Sequence, residues 1–215
     1  MRIGLYGGTF NPLHNGHIGI VQYTKRFIGL DEVYFIPASA PPHKSSKNLA
    51  PAQERYDMVR KSVKGFEGFL VSDLELKRKG PSFTIDTINE FMKDFPSNAH
   101  FYLLMGSDAF LDINTWKKKD KIFETASVIV MLRGNWKEYD IISAFIDDNI
   151  SKGYTFNQKK MQYSHRNKKN IIICEVPQID ISSTMIRNHI QRNQSITDFV
   201  PDPVAQIIKT TELYR

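Results

Sequence analysis

The chain has 215 residues, 41% hydrophobic and 24% charged, with a formal net charge of +6 at pH 7, which is the profile of a folded globular protein and excludes a disordered or fibrous one. The basic excess, with a sequence pI near 9.3, favours anionic partners, nucleotides or nucleic acid among them. A single cysteine, Cys174, excludes an intramolecular disulfide framework and fits a reducing compartment, and no apolar stretch approaches the length of a membrane span.

In chain order, the short apolar run Ile3-Gly4-Leu5-Tyr6 reads as a first buried strand, so no leader is expected before the fold. Directly after it stand Gly7-Gly8-Thr9-Phe10-Asn11-Pro12-Leu13-His14-Asn15-Gly16-His17. Adjacent glycines leaving a strand let backbone N–H groups approach a ligand closely, because no Cβ intervenes. His14 and His17 fall on one face of a helical turn, and Ile18, Ile20, Val21 and Tyr23 predict a helix beginning near His14 and running to about Phe27. Imidazoles on the first turn of a helix, beside a glycine turn and the positive end of the helix dipole, suit a polyphosphate. A histidine that merely caps or packs is the plainer reading of either one alone. The ordered set argues for ligand binding.

Further apolar runs predict buried strands at Val33–Ile36, Phe69–Val71, Phe101–Met105, Val128–Met131 and Ile171–Ile173. Most are continuously apolar, as strands covered on both faces should be. Helical periods separate several of them, at about Ala52 to Val63 and about Phe83 to Phe95, where Ile88, Phe91, Met92 and Phe95 share one face. Strands alternating with helices imply right-handed βαβ units and an α/β fold with a doubly wound, mostly parallel sheet, with ligands at the carboxyl ends of its strands. Cys174 lies in an apolar run and reads as a small buried hydrophobe.

One domain over residues 1–215 is expected, with a loop at Pro37–Lys47 and a polar insertion or mobile region at about 134–170. The lysine runs near 117–121 and 159–169 read as solvated faces, without the aromatic interleaving of an RNA-binding stripe. Near the far end, Asp180-Ile181-Ser182-Ser183-Thr184-Met185-Ile186-Arg187 follows the last apolar strand and opens another helix. Its hydroxyls can cap the helix and donate to phosphate, and the planar fork of Arg187, a turn in, can hold phosphate oxygens bidentately.

The two end segments resemble those of the HxGH nucleotidyltransferase superfamily. With Pro41-Pro42-His43-Lys44, Gly80-Pro81-Ser82-Phe83-Thr84, Gly106-Ser107-Asp108, Trp116 and the terminal Leu213-Tyr214-Arg215, the whole chain resembles the bacterial nicotinate-nucleotide (nicotinic acid mononucleotide) adenylyltransferases, with their Rossmann-like fold. The resemblance implies a cytoplasmic enzyme of NAD biosynthesis that joins ATP and nicotinate mononucleotide into deamido-NAD and pyrophosphate. Mg²⁺ is expected to arrive on ATP, because no carboxylate cluster in the sequence suggests a protein metal cage.

Carried over residue by residue, the resemblance makes His14, His17 and Arg187 catalytic. Gly7, Gly8, Thr9, Phe10, Gly106, Asp108, Ile181, Ser182, Ser183 and Thr184 join them in binding ATP, with Asp108 on a ribose hydroxyl. Thr84, Trp116 and Lys117 would form the nicotinate pocket, while His43 and Lys44 would reach the mononucleotide phosphate. Lys117 stands where the family commonly has tyrosine, and Gly134-Asn135 replaces a usual Pro-Gly. No nucleic-acid or membrane partner is expected, and self-association stays open. A nicotinamide mononucleotide enzyme and a silent nucleotide-binding regulator are the alternatives.

Overall fold

Every apolar run singled out above forms a strand in the computed structural model, which describes residues 1–39, 49–133 and 136–215. The strands are β1 (Arg2–Gly8), β2 (Glu32–Pro37), β3 (Phe69–Val71), β4 (His100–Gly106), β5 (Ser127–Leu132), β6 (Thr155–Asn157), β7 (Gln162–Ser164) and β8 (Ile171–Glu175). The helices are α1 (Asn15–Ile28), α2 (Ala52–Val63), α3 (Leu74–Lys77), α4 (Thr84–Phe91), α5 (Ser107–Leu111), α6 (Lys119–Thr125), α7 (Trp136–Phe145), α8 (Ser183–Gln191) and α9 (Asp202–Thr211).

These elements fall into two compact units. The first comprises Met1–Tyr6, Tyr23–Glu32 and Phe83–Gln178. Its strands follow the order β1-β4-β5-β8-β7-β6. The first four pair in parallel, with Ile3 opposite Phe101, Leu103 opposite Val128 and Ile129 opposite Ile172. Val128, Ile129 and Val130 have no exposed surface, which is why this strand is apolar at successive positions instead of alternating. Cys174 is buried here as expected, its thiol donating to Thr24 Oγ1 at 3.8 Å, and burial pushes its pKa up to about 11.

Two expectations change in this unit. Met92 does not share the apolar face of α4. The helix ends at Phe91, a 3₁₀ turn over Met92–Asp94 tightens the rotation per residue, and Met92 is turned out to 40% exposure. The region expected as a polar insertion holds regular elements from residue 136 onward: α7, a π-helical turn over Ile146–Ile150, and the antiparallel hairpin β6–β7, which joins β8. Ile142, Ile146, Ile150, Tyr154 and Tyr163 are buried there. The π turn shifts the helical period, and strands of three residues are too short to display alternation.

The second unit comprises Gly7–Gln22, Val33–Ser82 and Ile179–Arg215. In it β2 and β3 pair in parallel, with Val33 opposite Phe69, and the Gly8 carbonyl at the end of β1 accepts from the Ala38 N–H at 2.9 Å. Helix α2 packs against α9, burying Met58, Val59 and Val63 on one side and Val204, Ile207 and Ile208 on the other. The loops at the carboxyl ends of β1 and β2 and the start of α8 all belong to this unit, and they carry the candidate site.

Candidate functional site

At the end of β1 the two glycines differ. A Cβ added at Gly8 would lie 2.7 Å from the Phe10 ring, whereas one at exposed Gly7 would meet nothing within 4 Å. Packing therefore demands glycine at 8 and leaves the space above residue 7 open. Phe10 takes a left-handed backbone (φ 48°) that turns its ring into the core, 2% exposed, against Phe35 and the edge of His17. The Asn11–Pro12 peptide bond that follows is cis.

The paired histidines cap the helix they begin. The His14 N–H donates to His17 Nδ1 and the His17 N–H to His14 Nδ1, each at 3.3 Å. This is the reciprocal geometry of a capping box, with imidazole nitrogens in place of the usual oxygens. The rings stack with centroids 3.6 Å apart. A Cβ at Gly16 would stand 3.0 Å from His14 Nδ1, so the glycine between the histidines leaves room for the stack. Because each Nδ1 accepts a backbone hydrogen, the neutral form of each ring carries its proton on Nε2. The cap thus uses the Nδ1 edge of each ring.

The segment from the far end of the chain reaches the same loop. Ser182 is the N-cap of α8, its side chain accepting from the Met185 N–H at 3.1 Å. Ser183 Oγ donates to the Pro12 carbonyl at 2.9 Å, and Arg187 Nη1 donates to the Asn11 carbonyl at 2.8 Å. Arg187 Nη2 also donates to Thr184 Oγ1 at 3.1 Å. These bonds take two of the guanidinium's five N–H donors and fix its plane. The Ile181 N–H is spent on the Ile179 carbonyl at 2.9 Å. Gly7, Gly8, Thr9, Phe10, His14, His17, Ser182, Ser183, Thr184 and Arg187 are thereby assembled within one unit.

Two residues of this assembly, Arg55 and Tyr214, were given no role in the site by the sequence, although Tyr214 stands in one of the segments that carry the resemblance. Arg55 has no exposed surface and donates to four backbone carbonyls: Ala50 from Nε, Thr9 and Ala38 from Nη1, and Ser39 from Nη2, at 2.6–3.0 Å. Burial depresses its pKa, and those carbonyls fasten the loops after β1 and β2 to one cation. Its signal was visible as an arginine on the face of α2 that also carries Met58, Val59 and Ser62. The second residue, Tyr214, donates from its hydroxyl to Asn11 Oδ1 at 2.8 Å.

In the first unit, Gly106 ends β4 and is the N-cap of α5. The Asp108 carboxylate folds back over it, 2.5 Å from where a Cβ at 106 would stand, so a larger residue would displace that carboxylate. Asp108 raises and Arg133 lowers the pKa of the buried Tyr6 hydroxyl, which burial itself holds well above the usual phenol range. Thr84 opens α4, whose Asp86 and Thr87 N–H groups donate to the Phe83 carbonyl at 3.0 and 3.1 Å. Lys117 Nζ pairs with Asp86 Oδ2 at 2.8 Å and lies 4.5 Å above the Phe83 ring, which ties residue 117 to the start of α4. Trp116 is half-buried after the 3₁₀ turn Ile113–Thr115, and its own N–H is taken by the Ile113 carbonyl at 3.0 Å. His43 and Lys44 lie outside the described residues.

Comparison with known proteins gives the chain a family. The model of the cytidylyltransferase-like family matches residues 5–189. Relatives named "Probable nicotinate-nucleotide adenylyltransferase" include one from Clostridium kluyveri, 36% identical over 215 residues and covering 100% of both chains. Another, from Clostridium botulinum, is 34% identical over 214 residues, covering 100% of this chain and 98% of its own. The chain belongs to the nicotinate-nucleotide adenylyltransferase family. Among solved structures, the Plasmodium falciparum nicotinic acid mononucleotide adenylyltransferase complexed with NaAD matches with a TM-score of 0.73 at 19% identity, covering 99% of this chain and 97% of that one. That likeness gives the fold its place: the α/β, mostly parallel arrangement of the adenylyltransferases. The family assignment also gives the paired histidines and the α8 segment a common context, since the matched region contains both.

Proposed function

We propose that the chain transfers the adenylyl group of ATP to nicotinate mononucleotide, releasing pyrophosphate and forming deamido-NAD. The observation that carries this reading is the joining of the chain's two end motifs: Ser183 and Arg187 of α8 hydrogen-bond to the Pro12 and Asn11 carbonyls of the loop that leads into His14 and His17. A phosphate placed against that loop meets imidazole N–H donors and a guanidinium, with the dipole of α1 adding to the attraction.

The chemistry asks for those groups. The attacking oxygen belongs to the phosphate of the mononucleotide, anionic at neutral pH because its second pKa is near 6, so no general base is needed. It attacks the α-phosphorus of ATP, a new P–O bond forms as the bond to the β-phosphate oxygen breaks, and pyrophosphate leaves with that electron pair. The protein aligns two anions and neutralises charge growing on the α-phosphate and the leaving group. His14, His17 and Arg187 supply that neutralisation, and Gly7 through Phe10 bring backbone to the nucleotide. The donors of this loop are imidazole, hydroxyl, amide and guanidinium groups, which offer a hard cation no carboxylate, so the phosphates of ATP and water are the ligands that would hold Mg²⁺.

Asp108 is proposed to hold a ribose hydroxyl of ATP, and the Thr84, Trp116 and Lys117 group to receive the pyridine ring and its carboxylate, Trp116 by stacking. Among the described residues no helix is long and apolar enough to cross a membrane, and a cytoplasmic location is proposed. The test is product analysis: ATP with nicotinate mononucleotide should give deamido-NAD and pyrophosphate in equal amounts. Labelled pyrophosphate should not exchange into ATP when the mononucleotide is omitted. Exchange under that condition would reveal an adenylyl-enzyme and overturn direct transfer.

A further inference from the structure

We propose that Tyr214, near the carboxyl terminus, is a positioning residue for Arg187 and acts through Asn11. The chain turns back on itself after α9 through two non-glycine residues in the left-handed region, Glu212 (φ 54°) and Tyr214 (φ 69°). L-residues take that conformation when their surroundings hold them in it. Here the turn brings Tyr214 from the end of α9 into the molecule, leaving it only 8% exposed.

The buried hydroxyl lands on one atom. It donates to Asn11 Oδ1 at 2.8 Å, and the same oxygen accepts from the Ala50 N–H at 2.9 Å. Both lone pairs of that oxygen are then occupied, and the Asn11 side chain is pinned from two sides. The main-chain carbonyl of Asn11 accepts from Arg187 Nη1 at 2.8 Å. One residue thus carries the tyrosine on its side chain and the arginine on its backbone. The next carbonyl, that of Pro12, holds Ser183 of the same helix. Burial holds the Tyr214 pKa well above the ordinary phenol range despite the Arg55 and Arg187 charges that lower it, so the hydroxyl stays a donor throughout the working pH range.

The consequence for the site rests on the reading of Arg187 as a phosphate-binding group. Removing the hydroxyl frees one side of Asn11, lets its carbonyl shift, and loosens the orientation of the guanidinium. A misplacement of that size at a group acting on the transition state lowers kcat.

The test uses Tyr214→Phe, which keeps the ring and its burial. Two readouts are needed. In a side-chain NMR spectrum of arginine-labelled protein, the Arg187 Nε–H resonance, assigned by its loss in Arg187→Ala, should move or broaden in Tyr214→Phe. In the adenylyl-transfer assay kcat should fall about five- to tenfold, the scale of one coupling between neighbours, with the KM for the mononucleotide unchanged. The double variant should be no slower than Arg187→Ala alone, because the tyrosine acts only through the arginine. An unmoved Arg187 resonance, or losses that add in the double variant, would overturn the inference. A hydroxyl with a purely structural role would lower the melting temperature and leave the resonance and kcat in place. A shifted resonance in a chain that turns over no nucleotide would support the positioning role and count against the functional reading instead.

Discussion

His17 caps α1 and is proposed to donate to substrate phosphate, and replacing it separates the two roles. Nδ1 accepts the His14 N–H, and Nε2 is the atom proposed to face the phosphate. His17→Ala should cost about 1 kcal/mol of stability through the lost cap and roughly 10²-fold or more in kcat, at least about 2.7 kcal/mol, the scale of deleting one preorganised donor. Thermal melting and steady-state kinetics check the two halves separately, and a variant that melts lower yet keeps its kcat would leave only the capping role. The neighbouring glycines make a matched pair. Gly7→Ala should fold like the wild type, because its Cβ enters open space, and should raise the KM for ATP. Gly8→Ala should melt lower, because its Cβ meets the Phe10 ring at 2.7 Å. Equal ATP affinity in Gly7→Ala and wild type, by calorimetry, would remove residue 7 from the nucleotide contact. The sequence announced these residues because glycine and paired histidine are rare side by side after a strand. It did not announce the reciprocal cap, which depends on ring orientation.

Helix α8 reaches the site as a unit, and its start is set by one hydroxyl. Ser182 caps the helix, Ser183 fastens it to Pro12, and Arg187 stands a turn further on. Ser182→Ala should destabilise the fold by about 1 kcal/mol and, by fraying the turn that carries Ser183 and Thr184, weaken ATP binding more than mononucleotide binding. Titration calorimetry with each ligand decides it, and an equal loss for both would make the cap a matter of stability alone. At this scale legibility followed the clarity of the period. Val128–Met131 and Ile171–Ile173 were plain because burial on both faces leaves a continuous apolar run. The β6–β7 hairpin was hidden in strands of three residues, and the end of α4 was overrun because the 3₁₀ turn after Phe91 keeps enough apolar residues to imitate another helical turn.

Across the whole molecule, the sequence placed two motifs nearly the full chain length apart, and the structure joins them through main-chain carbonyls of Asn11 and Pro12. That joining was legible only through the family resemblance, since no spacing rule links residues 11 and 187. The supports behind it were less visible still. Arg55 grips four carbonyls from inside the core, and Tyr214 depends on a left-handed turn beyond the last helix. In the first unit, the Lys117–Asp86 pair holds residue 117 to the start of α4 through its side chain. The reading as a nicotinate-nucleotide adenylyltransferase is tested most directly by pyrophosphate release from ATP with nicotinate mononucleotide, nicotinamide mononucleotide and phosphopantetheine compared side by side. The highest kcat/KM is expected with nicotinate mononucleotide, a lower value with the amide and none with phosphopantetheine. Preference for the amide, or release with none of the three, would contradict it.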